Sequence, residues 1–279
     1  MLLVRTLARD RSAMLGLVIV LLTIVLAVLA PVLAPRPMDA YESHPLERLK
    51  APSRESPFGT DNLGRDMLSR VILGSRAALT VALLVVAGAM LIGVPLGLVA
   101  GYRGGWVAEG IMRVTDVFLA VPQLILALAL AQLLGPSLKN AMVALTLTYW
   151  PFFTRIVYAE TRRLKVSVFV EALEGLNAGA LRVMFAHILP NAAPPIIVRA
   201  TIGMGFTILS AAVLGFLGMG ATPPDPEWGL AIAESRQYLP EAWWFATFPG
   251  LAIFFVVFGF NLLGDGLRDV VDPRLRRSR

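Results

Sequence analysis

The sequence predicts an all-α, polytopic membrane protein with six transmembrane helices, and three observations predict it. Long runs almost free of charge recur along the chain, most of them long enough to cross a bilayer. Of the 279 residues, 57% are hydrophobic and only 16% charged, with a mean hydropathy of +0.71; a soluble domain is roughly half apolar and about a quarter charged. The arginines behind the net charge of +6 sit mostly beside the spans. That placement fits the positive-inside bias of membrane proteins rather than binding of nucleic acid. Cysteine is absent, which excludes disulfides, thiolate metal sites and iron–sulfur clusters.

Each element follows in order. Arg5, Arg9 and Arg11 precede a first span from Met14 to Leu33, which ends among Pro31, Pro35 and Pro37. The flanking charge puts this N-terminal arm in the cytoplasm. The apolar run is too long for the core of a cleavable signal peptide. Residues 35–76 are polar and, by span counting, external. Within them Thr60-Asp61-Asn62 reads as a turn before a short amphipathic helix. The second span runs from Ala77 to Ala100, where Gly88, Gly93 and Gly97 suit close helix packing. Gly101 to Asp116 reads as a short cytoplasmic loop with Arg103 and Arg113. The third span, Val117 to Leu134, is kinked at Pro122.

An external turn from Gly135 to Asn140 leads to a fourth span, Ala141 to Val157. It ends in Tyr149, Trp150, Phe152 and Phe153 followed by Arg155, a pattern suited to headgroups. The fifth span is Pro194 to Leu217, with Arg199 near its start and able to snorkel to the surface. Residues 221–242 form an external segment with a short helix near Ala231 to Tyr238. Trp243 and Trp244 form an interfacial belt before the sixth span, Phe245 to Leu263. The tail with Arg268, Arg274, Arg276 and Arg277 is cytoplasmic, so both termini share one side. The chain thus divides into 1–76 (cytoplasmic arm, first transmembrane helix and external segment) and 77–279 (a five-helix core with a polar loop over 159–192).

That loop organises the rest. Ser167 to Asn191 reads as two short helices meeting at a sharp corner. Ser167 can cap the first helix, and Glu171 lies near its positive end. Asn177 suits the corner, because Asn tolerates the left-handed conformation that ends helices. Pro190 stops the second helix before the fifth span. Gly175, Ala178, Gly179 and Ala180 leave the corner little bulk, so another protein's backbone can come close.

Glu171-Ala172, the corner residue Asn177 six positions after the Glu, and Leu189-Pro190 closing the unit resemble the "EAA" loop of ABC-importer permeases. Leu173 stands where that loop usually has a second Ala, and Asn177 where it has Gly. Three further stretches resemble the C-type permease subunit of dipeptide, oligopeptide and nickel importers. They are Phe58-Gly59-Thr60-Asp61-Asn62-Leu63-Gly64-Arg65-Asp66-Met67-Leu68-Ser69-Arg70, then Phe216 to Gly220 with Pro223-Pro224 and Trp228-Gly229, then Asn261 to Asp269 with Asp272-Pro273.

The resemblance implies the type I permease fold. The loop would be a coupling helix seated in a groove of an ATP-hydrolysing subunit, with Glu171, Ala172, Gly175, Asn177, Gly179, Leu189 and Pro190 forming the contact. Implied partners are a second homologous permease, two ATP-binding subunits, an extracytoplasmic solute-binding protein and the lipid bilayer. ATP and Mg would belong to the partner subunits, and this chain would carry no cofactor. The cargo would be di- or oligopeptides, with nickel, glutathione, opines or oligosaccharides as alternatives.

The residues themselves point the same way. The sequence has no G-x-x-x-x-G-K-[ST] phosphate loop, no H-E-x-x-H and no G-x-S-x-G. The span interiors hold no Asp, Glu, Lys or His away from their ends, whereas a proton-coupled carrier needs an ionisable group in the bilayer. Such a permease takes its work from another subunit and is not itself an enzyme. A self-contained channel or membrane enzyme is the competing class. Gln123, Gln132, Thr146, Thr148, Thr207 and Ser210 could line a passage, with hydrogen bonding between helices as the plainer role. No residue is assigned to substrate.

Overall fold

The computed structural model describes residues 10–271, which hold helices and loops. Arg5, Arg9, Asp272, Pro273, Arg274, Arg276 and Arg277 lie outside the described residues. Asp10 caps α1 (Arg11–Leu33), its carboxylate accepting from the N–H groups of Ser12 and Ala13. Asp66 caps α2 (Met67–Arg103) through the Ser69 N–H. Then come α3 (Gly105–Ala120), α4 (Gln123–Leu134) and α5 (Leu138–Lys165), the last capped by Ser137. A short α6 (Val168–Gly175) precedes α7 (Ala180–Phe216), α8 (Trp228–Ser235) and α9 (Trp243–Val271).

Four helices, α1, α2, α7 and α9, are long and apolar enough to cross a membrane. The pair α3 and α4, bent by 88°, makes a fifth, broken span. The remaining expected span, the fourth, lies in α5. Its 28 residues reach about 42 Å, but its second half carries Arg155, Glu160, Arg162, Arg163 and Lys165. By apolarity the count is therefore five rather than six.

Other boundaries differ from the sequence reading. The amphipathic helix expected near residue 66 is the first turn of α2, continuous with the span. The loop expected over Gly101 to Asp116 is helical apart from Gly104, whose φ of 67° lets the chain reverse between α2 and α3. Pro122 marks a corner rather than a kink, since Val121 and Pro122 are both extended.

The helices pack through small residues. α2 lies along α5, and a Cβ on Gly93 would fall 2.5 Å from the Trp150 carbonyl. One on Gly97 would fall 2.7 Å from that of Thr154. Gly88 instead makes room for the Thr146 side chain. Gly93 and Gly97 let two backbones meet, and Thr154 Oγ1 spans the gap to the Gly93 carbonyl at 3.2 Å. On the other side α9 is flanked by α1 and α7. The hydroxyls of Thr146, Thr148, Thr207 and Ser210 all donate to carbonyls of their own helices, not to neighbours.

At the start of α2 the polar segment over 35–66 folds into a cap held by charge. Asp61 and Arg65 are fully buried and paired at 2.6 Å. Arg65 also reaches Glu234 of α8 at 3.1 Å, and Arg70 Nε lies 3.5 Å from Asp61. Arg70 donates to the carbonyls of Ala40 and Pro224. The 58–70 stretch is thus a brace between cap, span and α8. Trp228 Nε1 donates to the Val71 carbonyl and Trp244 Nε1 to that of Thr60. Trp244 is buried, so only Trp243 fits the expected interfacial belt. Glu227 caps α8 through the N–H groups of Gly229 and Leu230. Burial pushes its carboxyl above the ordinary carboxylate range, against the pull of those two donors and of Arg70.

Candidate functional site

At the far end of α2 from the cap lies the corner. Ser167 occupies the N-cap position of α6, but its hydroxyl donates back to the Leu164 carbonyl and caps nothing in α6. Glu171 sits in the first turn, where the helix dipole favours a carboxylate. Asn177 has φ 61°, as its role at the corner requires. Around it the Asn177 N–H donates to Glu174 O and the Ala178 N–H to Leu173 O. That paired closure is a Schellman motif, and Leu173 and Ala178, its flanking apolar pair, both pack on the same core cluster.

Pro190 does not stop the second helix. The chain runs helically from Ala180 to Phe216 through Pro190, Pro194 and Pro195. Val183–Ile188 is wound as a π-helix, and the Leu189 N–H donates five residues back to Met184 O. The wider winding accommodates a proline at 190, which has no N–H to place. The Asn191 side chain donates to the His187 carbonyl at 2.7 Å nearby. The second helix of the corner and the next span are therefore one continuous helix.

Burial divides the corner cleanly. Val170, Val183, Met184 and Ile188 are buried in a cluster shared with Leu98, Val157 and Leu164 of α2 and α5. Glu171, Ala172, Gly175, Asn177, Gly179 and Pro190 are exposed, and Leu189 is half-buried. No atom lies within 4 Å of where a Cβ on Gly175 or Gly179 would stand. Bulky apolar side chains surround them on the surface, with Leu176 81% exposed and Leu181 70%. Val168, Phe169 and Phe185 are exposed as well. All the predicted contact residues but Leu189 are thus exposed, with two uncrowded glycines among exposed apolar and charged side chains.

One anchor escaped the sequence reading. The Tyr102 hydroxyl, at the end of α2, donates to Glu174 at 2.8 Å. Lys165 donates to the Tyr102 carbonyl at 2.5 Å and lies 5.1 Å from its ring centroid. These contacts tie α6 to both long helices beneath it. Tyr102 follows the run of apolar residues in α2 and would pass for an ordinary interfacial aromatic. His187 is half-buried in the π segment, and no cluster of metal-ligand type occurs among the described residues.

Comparison with known proteins bears on the whole chain. Residues 93–277 match the family model "Binding-protein-dependent transport system inner membrane component", and residues 2–52 match "N-terminal TM domain of oligopeptide transport permease C". A dipeptide transport system permease protein, DppC, of Alkalihalophilus pseudofirmus is 44% identical over 98% of this chain and 89% of its own length. A glutathione transport system permease protein, GsiD, of Pectobacterium atrosepticum is 40% identical over 98% of this chain and 90% of its own. Among solved structures, an inward-facing form of the MetNI methionine ABC transporter superposes with a TM-score of 0.57 at 22% identity. That match covers 74% of this chain and 98% of the other, and shows the shared fold.

Proposed function

Starting from the chain's membership of the family of binding-protein-dependent transport system inner membrane components, we propose that the 166–190 corner is the handle by which an ATPase drives it. The chain is a multi-pass permease subunit of an ABC importer of the dipeptide type. ATP and Mg act on two partner ATP-binding subunits. A second, homologous permease faces this chain across the passage, and an extracytoplasmic binding protein delivers solute. The corner and both termini face the cytoplasm. The cargo is a di- or tripeptide, because relatives spanning the whole chain are named for dipeptides and for glutathione, itself a tripeptide.

The observation that carries this reading is an exposed corner whose second helix runs without a break into the span of α7. A force applied at Leu181 passes through an unbroken helix to Phe216, and Leu176 and Gly179 lie just ahead of that helix. It also passes through Tyr102 and Lys165 into α2 and α5. Closure of the ATPase pair on ATP would then tilt three spans together and open the passage to the other side.

The test is peptide uptake by the reconstituted importer. Glu171→Ala and Gly179→Trp should insert and assemble, keep ATP hydrolysis, and lose most uptake. Normal uptake by both variants would sink the assignment. Activity of the purified chain alone would favour a self-contained channel instead.

A further inference from the structure

The fifth span holds a cation that the sequence reading placed at its edge. Because α7 begins at Ala180, Arg199 stands at the middle of a 37-residue helix. Its guanidinium lies 4.6 Å from the Phe152 ring centroid and 5.3 Å from that of Tyr149. Both rings belong to the middle of the 28-residue α5. Among the described residues no carboxylate pairs with Arg199. Its Nε is buried without a hydrogen-bond partner.

Arg199 lines a cavity of about 640 Å³ that reaches from this depth to the corner end of the bundle, where Glu160, Arg163 and Arg268 stand. Its walls are apolar, with Ile156, Val198 and Ile202. Three arginines face one glutamate, which is itself paired with Arg163 at 2.7 Å. The field in the cavity therefore favours an anion. An arginine within a span is costly against lipid tails and is found facing water-filled cavities or partners.

We propose that Arg199, backed by Tyr149 and Phe152, is a carboxylate-binding station of the translocation pathway, where the C-terminal carboxylate of a peptide rests on its way to the cytoplasm. The proposal rests on the reading of the chain as a peptide permease. Planar donors match a carboxylate, and the free Nε supplies one of them. The aromatic faces hold the guanidinium by cation–π attraction and leave its outer edge to the ligand.

The natural absence of cysteine makes the test direct. In the assembled importer in nanodiscs, with partner subunits made cysteine-free, Ile202→Cys is exposed to an anionic and a cationic water-soluble methanethiosulfonate. Both should react, the anionic reagent about tenfold faster relative to its rate on a free thiol. Saturating dialanine should slow the reaction. In the double variant with Arg199→Gln the anion preference should vanish. Uptake of radiolabelled dialanine should fall about tenfold or more in Arg199→Gln and recover in part in Arg199→Lys. Reaction with a lipophilic maleimide alone would overturn the proposal. So would loss of bound anionic phospholipid in Arg199→Gln without protection by dialanine, which would assign the cavity to lipid. If the unmodified importer moves dialanine and Ile202→Cys behaves in either of these ways, only this inference fails. If it moves no peptide, the peptide reading fails first.

Discussion

The glycines of α2 and those of the corner are the same residue put to opposite uses. Gly93 and Gly97 are closed in by the backbone and side chains of α5, and the fold itself requires them. Gly175 and Gly179 have nothing within 4 Å, and this chain gives no reason for their smallness. A glycine crowded by its own chain reports internal packing. One facing open space beside exposed Leu176 and Leu181 reports a surface kept low for something else. The same contrast separates the charges: Asp61 and Arg65 are buried and paired, while Glu171 is exposed.

This contrast can be broken by substitution. The largest effect should come from the cap. Asp61→Ala removes the carboxylate shared by buried Arg65 and Arg70, and should cost about 3–5 kcal/mol, read from thermal unfolding of the solubilised complex. Next is Gly93→Leu, which forces α2 away from α5. It should cost about 1–3 kcal/mol and lower the yield of assembled subunit. Tyr102→Phe deletes one exposed hydrogen bond, worth about 0.5–1 kcal/mol. Its uptake per ATP hydrolysed should fall by more than its stability does. Gly179→Ala should leave stability within about 0.5 kcal/mol of the parent. A stability loss there as large as at Gly93 would erase the distinction.

The cap adds a dependence on pH. Glu227 has a folded pKa raised above its ordinary value of 4.5, mainly by burial. Its protonated form is thus favoured by folding. The stability it contributes is complete below pH 4.5 and is lost as pH rises through the folded value. Glu227→Gln should flatten that slope in thermal unfolding above pH 4.5.

Much of this was legible in the sequence. The helical class followed from composition. The corner followed from Asn177, because few residues other than Gly take a φ near 61° without strain. The packing role of Gly88, Gly93 and Gly97 followed from their spacing. What stayed hidden has a common cause. Proline reads as punctuation in a sequence, yet it forbids only one hydrogen bond and crowds one carbonyl. A π-helical turn absorbs Pro190, so α7 begins fourteen residues before the expected span. That shortened span moved Arg199 from the centre of a helix to its edge. Trp244 misled similarly: tryptophan at a span entry suggests headgroups, but the cap supplies a carbonyl and buries it. Composition cannot tell these alternatives apart, because they depend on contacts distant in sequence.

The central claim, that the corner is where an outside motor holds this chain, can be tested by photo-crosslinking from Gly179→p-benzoylphenylalanine in the assembled importer. A covalent adduct with the ATP-binding subunit, changing in yield between nucleotide-free and ATP-bound states, is the predicted result. Adducts only with lipid or with the solute-binding protein would contradict it.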